Sequence, residues 1–387
     1  MTEYAMTPEE RAVIDQIERF ARDVLAPKAA EIDETAQFAG CHLPQMSELG
    51  LMGMNLGEDF GGIGLGGPAL YRAVELVAGA CGSTASMLTA HFLATDALHI
   101  GDEAGRHHDL IQAAATGEKL GAFALTEPQA GSNPADMTTV AVREGENYRI
   151  KGSKCFISNA AHADFIVVFA KTDRAAGARG VSAFVVEPGR QSGIEFGPNE
   201  RTMGLKGGHV FSVALDCIVP ERNRLGPEGT GFRTAMRTLD NGRIEVAAQA
   251  TGIAEAAQNA AVSYAVERKV GGQPIADFQG LQWMLAESAM ELEAARALAL
   301  QAANKRGSSR RYDREAAFAK LFATEAAWRI ADRALQIHGG YGYTRDFPLE
   351  RYLRDLRIFR IYEGSSEIQR TIIARGLLGD ARDTTSA

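Results

Sequence analysis

The spacing of the apolar residues changes twice along the chain, and these changes limit the fold more than any other feature of the sequence. Alanine-rich segments with helical spacing continue to about Gly117. From Gly121 short β-branched and aromatic runs replace them, and helical spacing returns after Gly231. The pattern predicts an α+β chain with a helical domain over residues 1–120, a β domain over 121–230 and a second helical domain over 231–387.

The first predicted helix has a clear start signal. Thr7 is a good N-cap residue, Pro8 suits the first turn, and Glu10 completes a capping box. Apolar residues then recur on one face that we expect to be buried, namely Val13, Ile17, Phe20 and Val24.

The middle domain contains short predicted strands separated by Gly, Pro and Asn. They cover residues 123–126, 138–142, 148–151, 165–171, 181–186 and 210–219. Since no helical segments separate these runs, they predict an antiparallel barrel or sandwich rather than a parallel sheet.

The last domain contains long helical segments over residues 244–264, 278–303 and 316–337, which we expect to pack as a bundle. The third segment stops at Gly339 and Gly340, a glycine helix terminator.

One carboxylate near the C-terminus, Glu363, stands between Tyr362 and Gly364, just before another predicted helix. Ser366 and Gln369 fit a capping box for that helix, so Glu363 lies in the preceding turn. The glycine leaves room for a ligand to approach, and a carboxylate in such a turn suits a general base. The alternative is a solvated loop glutamate.

Composition and charge exclude several classes of function. The chain has 41 basic and 49 acidic residues, a net charge of -8 and no basic run, so nucleic acid is not an expected partner. Its apolar runs are too short for a membrane span, and its first residues lack a secretory signal, so we expect a cytoplasmic protein. The four cysteines lack C-x-x-C spacing and the eight histidines form no ligand pattern, so no metal is expected.

Two motifs resemble signatures of the acyl-CoA dehydrogenase family. The first is Leu-Thr-Glu-Pro-Gln-Ala-Gly-Ser at residues 125–132, and the second runs from Gln-Ile-His-Gly-Gly-Tyr-Gly at 336–342 to Tyr-Glu-Gly-Ser at 362–365. The resemblance extends from about Thr7 to Leu378. It implies an N-terminal helical domain, a middle antiparallel β-barrel and a C-terminal four-helix bundle, with FAD and an acyl-CoA thioester between the last two.

The resemblance also implies a reaction, in which a base removes the α proton of the thioester while flavin N5 accepts a hydride, giving a trans-2-enoyl-CoA. Glu363 matches the family's base, and burial would raise its pKa. The carbonyl oxygen gains negative charge and needs hydrogen-bond donors. Some relatives carry the base directly before the residue that matches Arg243, but this chain has Gly242 there.

By the same resemblance, eight residues contact the acyl-CoA. Asp240 and Arg243 would lie beside the thioester, although a surface ion pair is the alternative. Bulky residues would shorten the acyl tunnel and favour a short, branched or cyclic acyl group, and His91 would lie near its closed end unless it is simply packed. The full set is Ser132, Asp240, Arg243, Tyr362, Gly364, Met87, Leu88 and His91.

The FAD contacts that the resemblance implies form two groups. The flavin group is Phe123, Leu125, Thr126, Gly131, Ser132, Phe156 and Ser158, and the second group is Arg268, Gln279, Gln336, Gly340, Ser365 and Glu367. Phe156 replaces the usual tryptophan, and Gly271 replaces a phenylalanine. Arg268 resembles an arginine that reaches the FAD pyrophosphate of a neighbouring subunit, which implies a homotetramer built as a dimer of dimers.

The leading hypothesis is an FAD-dependent acyl-CoA dehydrogenase that passes electrons to an electron-transferring flavoprotein. An acyl-CoA oxidase is the near alternative. A flavin-containing lyase or desulfinase-like relative is the second, and a catalytically silent binding protein is the third. Ser83 stands where glutaryl-type relatives have arginine, which disfavours a dicarboxylic substrate.

Overall fold

Helices form the first third of the chain, as the apolar spacing predicts. The structure is a computed structural model that describes residues 6–306 and 311–385. A single wide π-helical turn, Ala21–Leu25, joins the first two helices. The helices are α1 Pro8–Phe20, α2 Ala26–Thr35, α3 Leu43–Glu48, α4 Gly67–Ala80, α5 Gly82–Gly101 and α6 His108–Ala115.

The start of α1 confirms the predicted capping box. The Glu10 amide donates to Thr7 Oγ1 at 3.2 Å, and the Thr7 amide donates to Glu10 Oε2 at 2.8 Å. Glu10 Oε1 also accepts from the Gly66 amide at 2.8 Å, so the cap ties α1 to the segment before α4. Ile17 and Phe20 are buried, as expected for the core face.

Eight strands of the middle domain form one sheet. Its order is β6-β7-β3-β2-β4-β5-β8, and β1 pairs with β4. Two very short strands, β6 and β8, were not predicted, and β3 is longer than its predicted run. The strands are β1 Gly121–Ala124, β2 Val140–Glu144, β3 Asn147–Ser158, β4 Phe165–Lys171, β5 Val181–Val186, β6 Ile194–Phe196, β7 Val210–Pro220 and β8 Arg224–Leu225.

The sheet is mixed, so the purely antiparallel prediction is wrong for two strand pairings. β1 runs parallel to β4, with Gly121 opposite Phe165, and β2 meets β4 in parallel at one residue pair. Parallel neighbours need a long connection, and the β2–β3 hairpin within that connection supplies the length. The pairing brings the C-terminal end of β1, where the first signature motif begins, beside β4.

The two faces of the sheet pack against different partners. Phe165 and Val167 of β4 lie in a core with Leu98 of α5 and Ile111 of α6. The intervening Ile166 faces the other side, where the strands pack on one another. Both faces are therefore buried along β4, and the β domain is anchored on α5.

The last domain is a helical bundle that also packs against the N-terminal helices. α7 contacts α9 and α8, and α4 and α5 lie against α7. A Cβ atom built on Gly252 of α7 would overlap the Glu75 carbonyl oxygen of α4, so glycine permits this close helix contact. The elements are α7 Gly231–Glu267, β9 Lys269–Val270, β10 Gln273–Pro274, α8 Gln279–Ala303, α9 Asp313–His338, α10 Leu349–Leu356 and α11 Ser366–Thr385.

The α-helices of the described residues are between 6 and 37 residues long. Within residues 6–306 and 311–385, none is both long enough and apolar enough to cross a membrane.

Candidate active site

Glu363 lies in a tight turn between a short 3-10 segment, Arg357–Arg360, and α11. Its φ is 51° and that of Gly364 is 87°, and positive φ is unfavourable for a residue with a side chain. Hydrogen bonds from two other side chains hold the turn. Gln369 Nε2 donates to the carbonyls of Glu363 at 3.2 Å and Gly364 at 2.9 Å, and Lys320 Nζ donates to the Gly364 carbonyl at 2.7 Å.

The predicted capping box of α11 is wrong by one position. α11 begins at Ser366, and the hydroxyl that its backbone uses is that of Ser365, which accepts from the Ile368 amide at 3.5 Å. Ser366 Oγ instead donates to Glu325 Oε1 at 2.7 Å. Gln369 is thereby free to hold the Glu363 turn.

The Glu363 carboxylate lies directly against the backbone of α7. A Cβ atom built on Gly242 would overlap Glu363 Oε2 and would come within 2.8 Å of Leu93 Cδ2 on α5. Among the described residues, Glu363 Oε2 has no hydrogen-bond partner, although the atom is buried. This buried oxygen contradicts the solvated-loop alternative and is available to accept a proton or a hydrogen bond from a ligand.

Burial and, second, the negative charge of Glu245 together raise the pKa of Glu363 to about 8, against the opposing charges of Lys320 and Arg243. Burial lowers the pKa of Lys320 to about 8, against the attraction of Glu363. A carboxyl with such a pKa is a stronger base than an exposed glutamate once it is ionised.

Asp240 and Arg243 form an ion pair of 2.6 Å on α7, and their side chains are only 16% and 6% exposed. The surface-pair alternative is therefore wrong. Burial raises the pKa of Asp240 to about 6, partly offset by the Arg243 charge. Arg243 Nη2 lies 3.7 Å from the position of a Cβ built on Gly364, so the guanidinium faces the Glu363 turn.

Tyr362 closes the other side of this turn. Its ring stacks on Phe359 with centroids 5.7 Å apart, and burial holds the pKa of its hydroxyl well above the usual range. Gln249 of α7 donates to Thr89 Oγ1 of α5 at 3.1 Å and joins the two helices beside it.

Side chains on two faces of α5 contact different elements. Thr89 and Leu93, four residues apart, face α7, whereas His91 faces α6 and the start of β1. Met87 and Leu88 are both fully buried.

Two histidines, His91 and His209, make hydrogen bonds that join separate elements. His91 Nε2 donates to the Ala114 carbonyl at 3.2 Å, and its Nδ1 accepts from the Gly121 amide at 3.0 Å. Burial lowers the pKa of His91 to about 4, so the geometry matches the packing alternative. His209 Nε2 donates to the Ala36 carbonyl at 2.9 Å and joins the β domain to α2.

A buried ion pair fixes the first signature loop. Lys154 Nζ lies 2.8 Å from Glu127 Oε1 and donates to the Leu125 carbonyl at 3.0 Å, and both charged side chains are fully buried. Glu127 also accepts from the amides of Thr138 at 2.6 Å and Thr139 at 3.0 Å. The Cys155 amide donates to the Thr126 carbonyl at 3.0 Å, which sets the loop beside Phe156. Motif reading alone missed the Lys154–Glu127 pair.

Phe156 projects from an irregularity in β3, between Lys154 and Ile157. Its φ is 57°, and 68% of it is exposed, which is unusual for a large aromatic residue beside a buried core. Ser158 is half-buried on the same strand, and Gly131 and Ser132 are exposed in the signature loop. An open aromatic face beside accessible amides and hydroxyls fits a flat, polar-edged ring such as isoalloxazine.

The second group of predicted FAD contacts lies apart from the Glu363 turn. Arg268, Gln279, Gln336 and Gly340 are all exposed. The Arg268 guanidinium carbon is 5.7 Å from the ring of Tyr341, which neighbours Gly340. Along α7, Arg268 lies roughly 35 Å from Arg243. Ser365 and the exposed Glu367 instead lie at the start of α11.

Sequence reasoning missed two charged residues near Glu363, Lys320 and Glu245. Lys320 stands among Ala316, Ala319 and Ala323, which share the buried face of α9. Glu245 interrupts the apolar run that starts at Ile244. A charged residue at a core position is the signal that could have found both.

In the part of the chain that the structure describes, no group of three or more His, Cys, Asp or Glu side chains could hold a metal ion.

Three family models match this chain in order. They are described as the N-terminal, middle and C-terminal domains of acyl-CoA dehydrogenase and cover residues 7–118, 122–216 and 229–378. The short-chain specific acyl-CoA dehydrogenase of Clostridium acetobutylicum is 42% identical over 375 residues, 96% of this chain and 98% of that protein.

Two solved structures are similar over almost their whole length. Butyryl-CoA dehydrogenase from Megasphaera elsdenii is 36% identical, with a TM-score of 0.94 over 97% of this chain and 100% of that one. A chain from a structural study of the electron-transferring flavoprotein of Acidaminococcus fermentans is 40% identical, also with a TM-score of 0.94 over 97% and 100%.

Proposed function

This chain belongs to the acyl-CoA dehydrogenase family, and we propose that Glu363 is the base that removes the α proton of a short acyl-CoA. The protein is an FAD-dependent oxidoreductase that dehydrogenates an acyl-CoA thioester between its α and β carbons. The observation that carries the assignment of the base is the buried, unpaired Oε2 of Glu363, held against Gly242 within the residues that the structure describes.

The surroundings of Glu363 support this role. An α proton beside a thioester is only weakly acidic, so its removal needs an aligned carboxylate in a site without bulk water. The hydrogen bonds that Gln369 and Lys320 donate to backbone carbonyls of this turn hold the backbone at Glu363 in place. Arg243, restrained by Asp240, adds a positive charge that favours the ionised carboxylate before reaction.

FAD, when bound, accepts the β hydrogen as a hydride. Phe156 would cover one ring face, while Thr126, Ser132 and Ser158 would offer polar groups to the ring edge. Arg268 would hold a diphosphate, for which a guanidinium has a suitable fork of donors.

A short acyl group is the proposed substrate class. The relatives named for short-chain and butyryl substrates support it. Leu93 supports it as well, because its side chain reaches Gly242 beside the base and restricts the space for a longer chain.

An electron-transferring flavoprotein is the proposed electron acceptor. Support comes from the A. fermentans study, in which a chain similar to this one was solved.

The function is tested by the visible spectrum of the purified protein under anaerobic conditions. We expect a flavin band that straight acyl-CoAs of about four carbons bleach faster than long-chain ones. A yellow protein that no straight, branched or cyclic acyl-CoA bleaches would contradict the proposed base and substrate together. Reoxidation by an added electron-transferring flavoprotein, compared with air, tests the acceptor.

A homotetramer, built as a dimer of dimers, is the proposed assembly. Trp283 and Met290 of α8 are 61% and 66% exposed, and their spacing of seven places them on one helix face. Large exposed apolar residues of this kind mark association surfaces. The distance along α7 between Arg243 and Arg268 also favours an FAD site that a second subunit completes.

Lysines at both apolar positions, Trp283→Lys with Met290→Lys, are expected to weaken association and reduce the bound FAD. Sedimentation and the flavin-to-protein absorbance ratio measure the two effects. Val142→Lys is the matched control, because Val142 is 57% exposed on β2, outside the bundle. A monomeric wild-type protein that retains FAD would contradict the proposed assembly.

A further inference from the structure

A buried cluster of charges lies next to the Glu363 site. Arg306, just after α8, donates from Nη2 to Asp96 Oδ2 of α5 at 2.9 Å and from Nη1 to Glu245 Oε1 of α7 at 2.7 Å. Asp96 is 4% exposed and Glu245 is 3% exposed. Two buried carboxylates therefore share one guanidinium, and the cluster carries one surplus negative charge unless a proton is bound.

The hydrogen bonds in the cluster show which carboxylate carries that surplus. Asp96 also accepts from Asn55 and Asn241, each at 2.7 Å, so both of its oxygens have donors. Glu245 Oε2 is buried and has no hydrogen-bond partner within residues 6–306 and 311–385. A carboxylate with fewer donors is easier to protonate, so the exchangeable proton belongs on Glu245. In agreement, burial raises the pKa of Glu245 to about 7, despite the Arg306 charge.

Glu245 is also close to the base. It follows Gly242 by three residues, less than one turn of α7, and Gly242 is the residue that Glu363 Oε2 lies against. Both glutamates have a buried oxygen without a partner in the described part of the chain. Two carboxyls placed in this way titrate as a pair, because ionisation of one disfavours ionisation of the other.

The other charged side chains around Glu363 have partners of their own, and the charges of Lys320 and Arg243 lower the pKa of Glu363. Arg243 of α7 is paired with Asp240, and Lys320 of α9 donates to the Gly364 carbonyl. Tyr362, its neighbour in the turn, stays neutral. α5 presents Leu93 to this side, and its Asp96 is bound to Arg306. Glu245 is thus the negative charge that acts most directly on the base.

We propose that Glu245 is a positioning residue for the reaction, which sets the protonation of Glu363 through space while Arg306 and Asp96 hold it in place. The inference rests on the proposed role of Glu363 as the base. When Glu245 binds the shared proton, Glu363 is ionised and can accept a proton from the substrate. When Glu245 is ionised, Glu363 tends to hold the proton and is inactive as a base.

The direction of the expected change in the pKa of Glu363 follows from the negative charge of Glu245. Removal of the Glu245 charge lowers the pKa of Glu363, so the base becomes ionised at lower pH. The rate of flavin reduction at limiting acyl-CoA, which rises with pH as the free base ionises, should then begin its rise at lower pH.

The test compares wild type with Glu245→Gln, which keeps the shape of the side chain, in anaerobic stopped-flow measurements from about pH 5.5 to about pH 9.5. We expect the midpoint of the rate–pH profile to fall by at least about half a pH unit. On the acidic side, the rate of the variant, taken as a fraction of its own plateau, should then be roughly threefold higher than that of wild type. Glu267→Gln, an exposed acid at the end of α7, is the matched control and should leave the midpoint unchanged. An unchanged midpoint in Glu245→Gln would overturn the proposal.

A second variant and a second measurement keep the test independent of folding and of turnover. Asp96→Asn removes a negative charge that raises the pKa of Glu245, so Glu245 ionises at lower pH and the Glu363 midpoint should rise instead of falling. Infrared titration of the protonated Glu363 carboxyl, identified by its loss in Glu363→Gln, needs no substrate. If no acyl-CoA reduces the flavin, the proposed function fails, whereas a Glu363 carboxyl that titrates identically with and without Glu245 refutes this inference alone.

Discussion

Glu363→Gln is expected to lower the rate of flavin reduction by acyl-CoA by about a thousandfold, within the range attributed to general-base catalysis. The amide keeps the size of the side chain and accepts hydrogen bonds, but it cannot take the α proton. The backbone carbonyl contacts with Gln369 and Lys320 do not involve the carboxylate, so the turn and the bound FAD should persist. Anaerobic stopped-flow spectroscopy at the flavin band measures the rate.

Glu267→Gln is the matched control for this substitution as well, since it makes the same chemical change on an exposed residue. Flavin content and the visible spectrum before substrate addition verify that each variant is loaded. Substantial bleaching by Glu363→Gln, within about tenfold of wild type, would remove Glu363 from the role of base.

Gly242→Ala is expected to slow flavin reduction by about a hundredfold, because it would displace the Glu363 carboxylate from its alignment with the α carbon of the acyl-CoA. The added methyl group would overlap Glu363 Oε2 and crowd Leu93 Cδ2 at 2.8 Å. The carboxylate must then rotate away from α7, since the helix backbone cannot yield. The same stopped-flow assay, combined with the pH profile, follows the displaced base.

Gly280→Ala supplies the control for the glycine substitution. Gly280 lies in the first turn of α8, where a Cβ would meet nothing within 4 Å in the described structure. Alanine there should leave the rate unchanged and improve helix stability slightly. If Gly242→Ala reduced flavin at the wild-type rate, the contact between α7 and the Glu363 carboxylate would have no part in catalysis.

The order of domains and the position of Glu363 in its turn were predictable from local sequence. Apolar spacing distinguishes helix from strand, and the Thr7 capping box is a contact between residues three apart. The resemblance to the family, carried by the Leu125–Ser132 and Tyr362–Ser365 motifs, added the assignment of Glu363. Each of these signals lies within a short stretch of sequence, so it can be recognised without knowledge of the tertiary structure.

Contacts between distant segments could not be predicted in this way. The close contact between Gly242 and Glu363 involves residues that are far apart in sequence, and so does the hydrogen bond from Lys320 to the Gly364 carbonyl. The parallel pairing of β1 with β4 depends on the path of the chain between them. His91 shows the same limit, since its position on α5 did not reveal that it faces Ala114 and Gly121.

The buried pair of Lys154 and Glu127 has a consequence for the way the protein acquires its cofactor. Its bonds hold the signature loop with protein atoms alone. The loop that we propose to face the flavin is therefore ordered before FAD binds, so binding does not cost free energy for ordering that loop. Loading of the proposed FAD site would therefore start from a β domain that has already folded, and the second subunit would supply the remaining contacts.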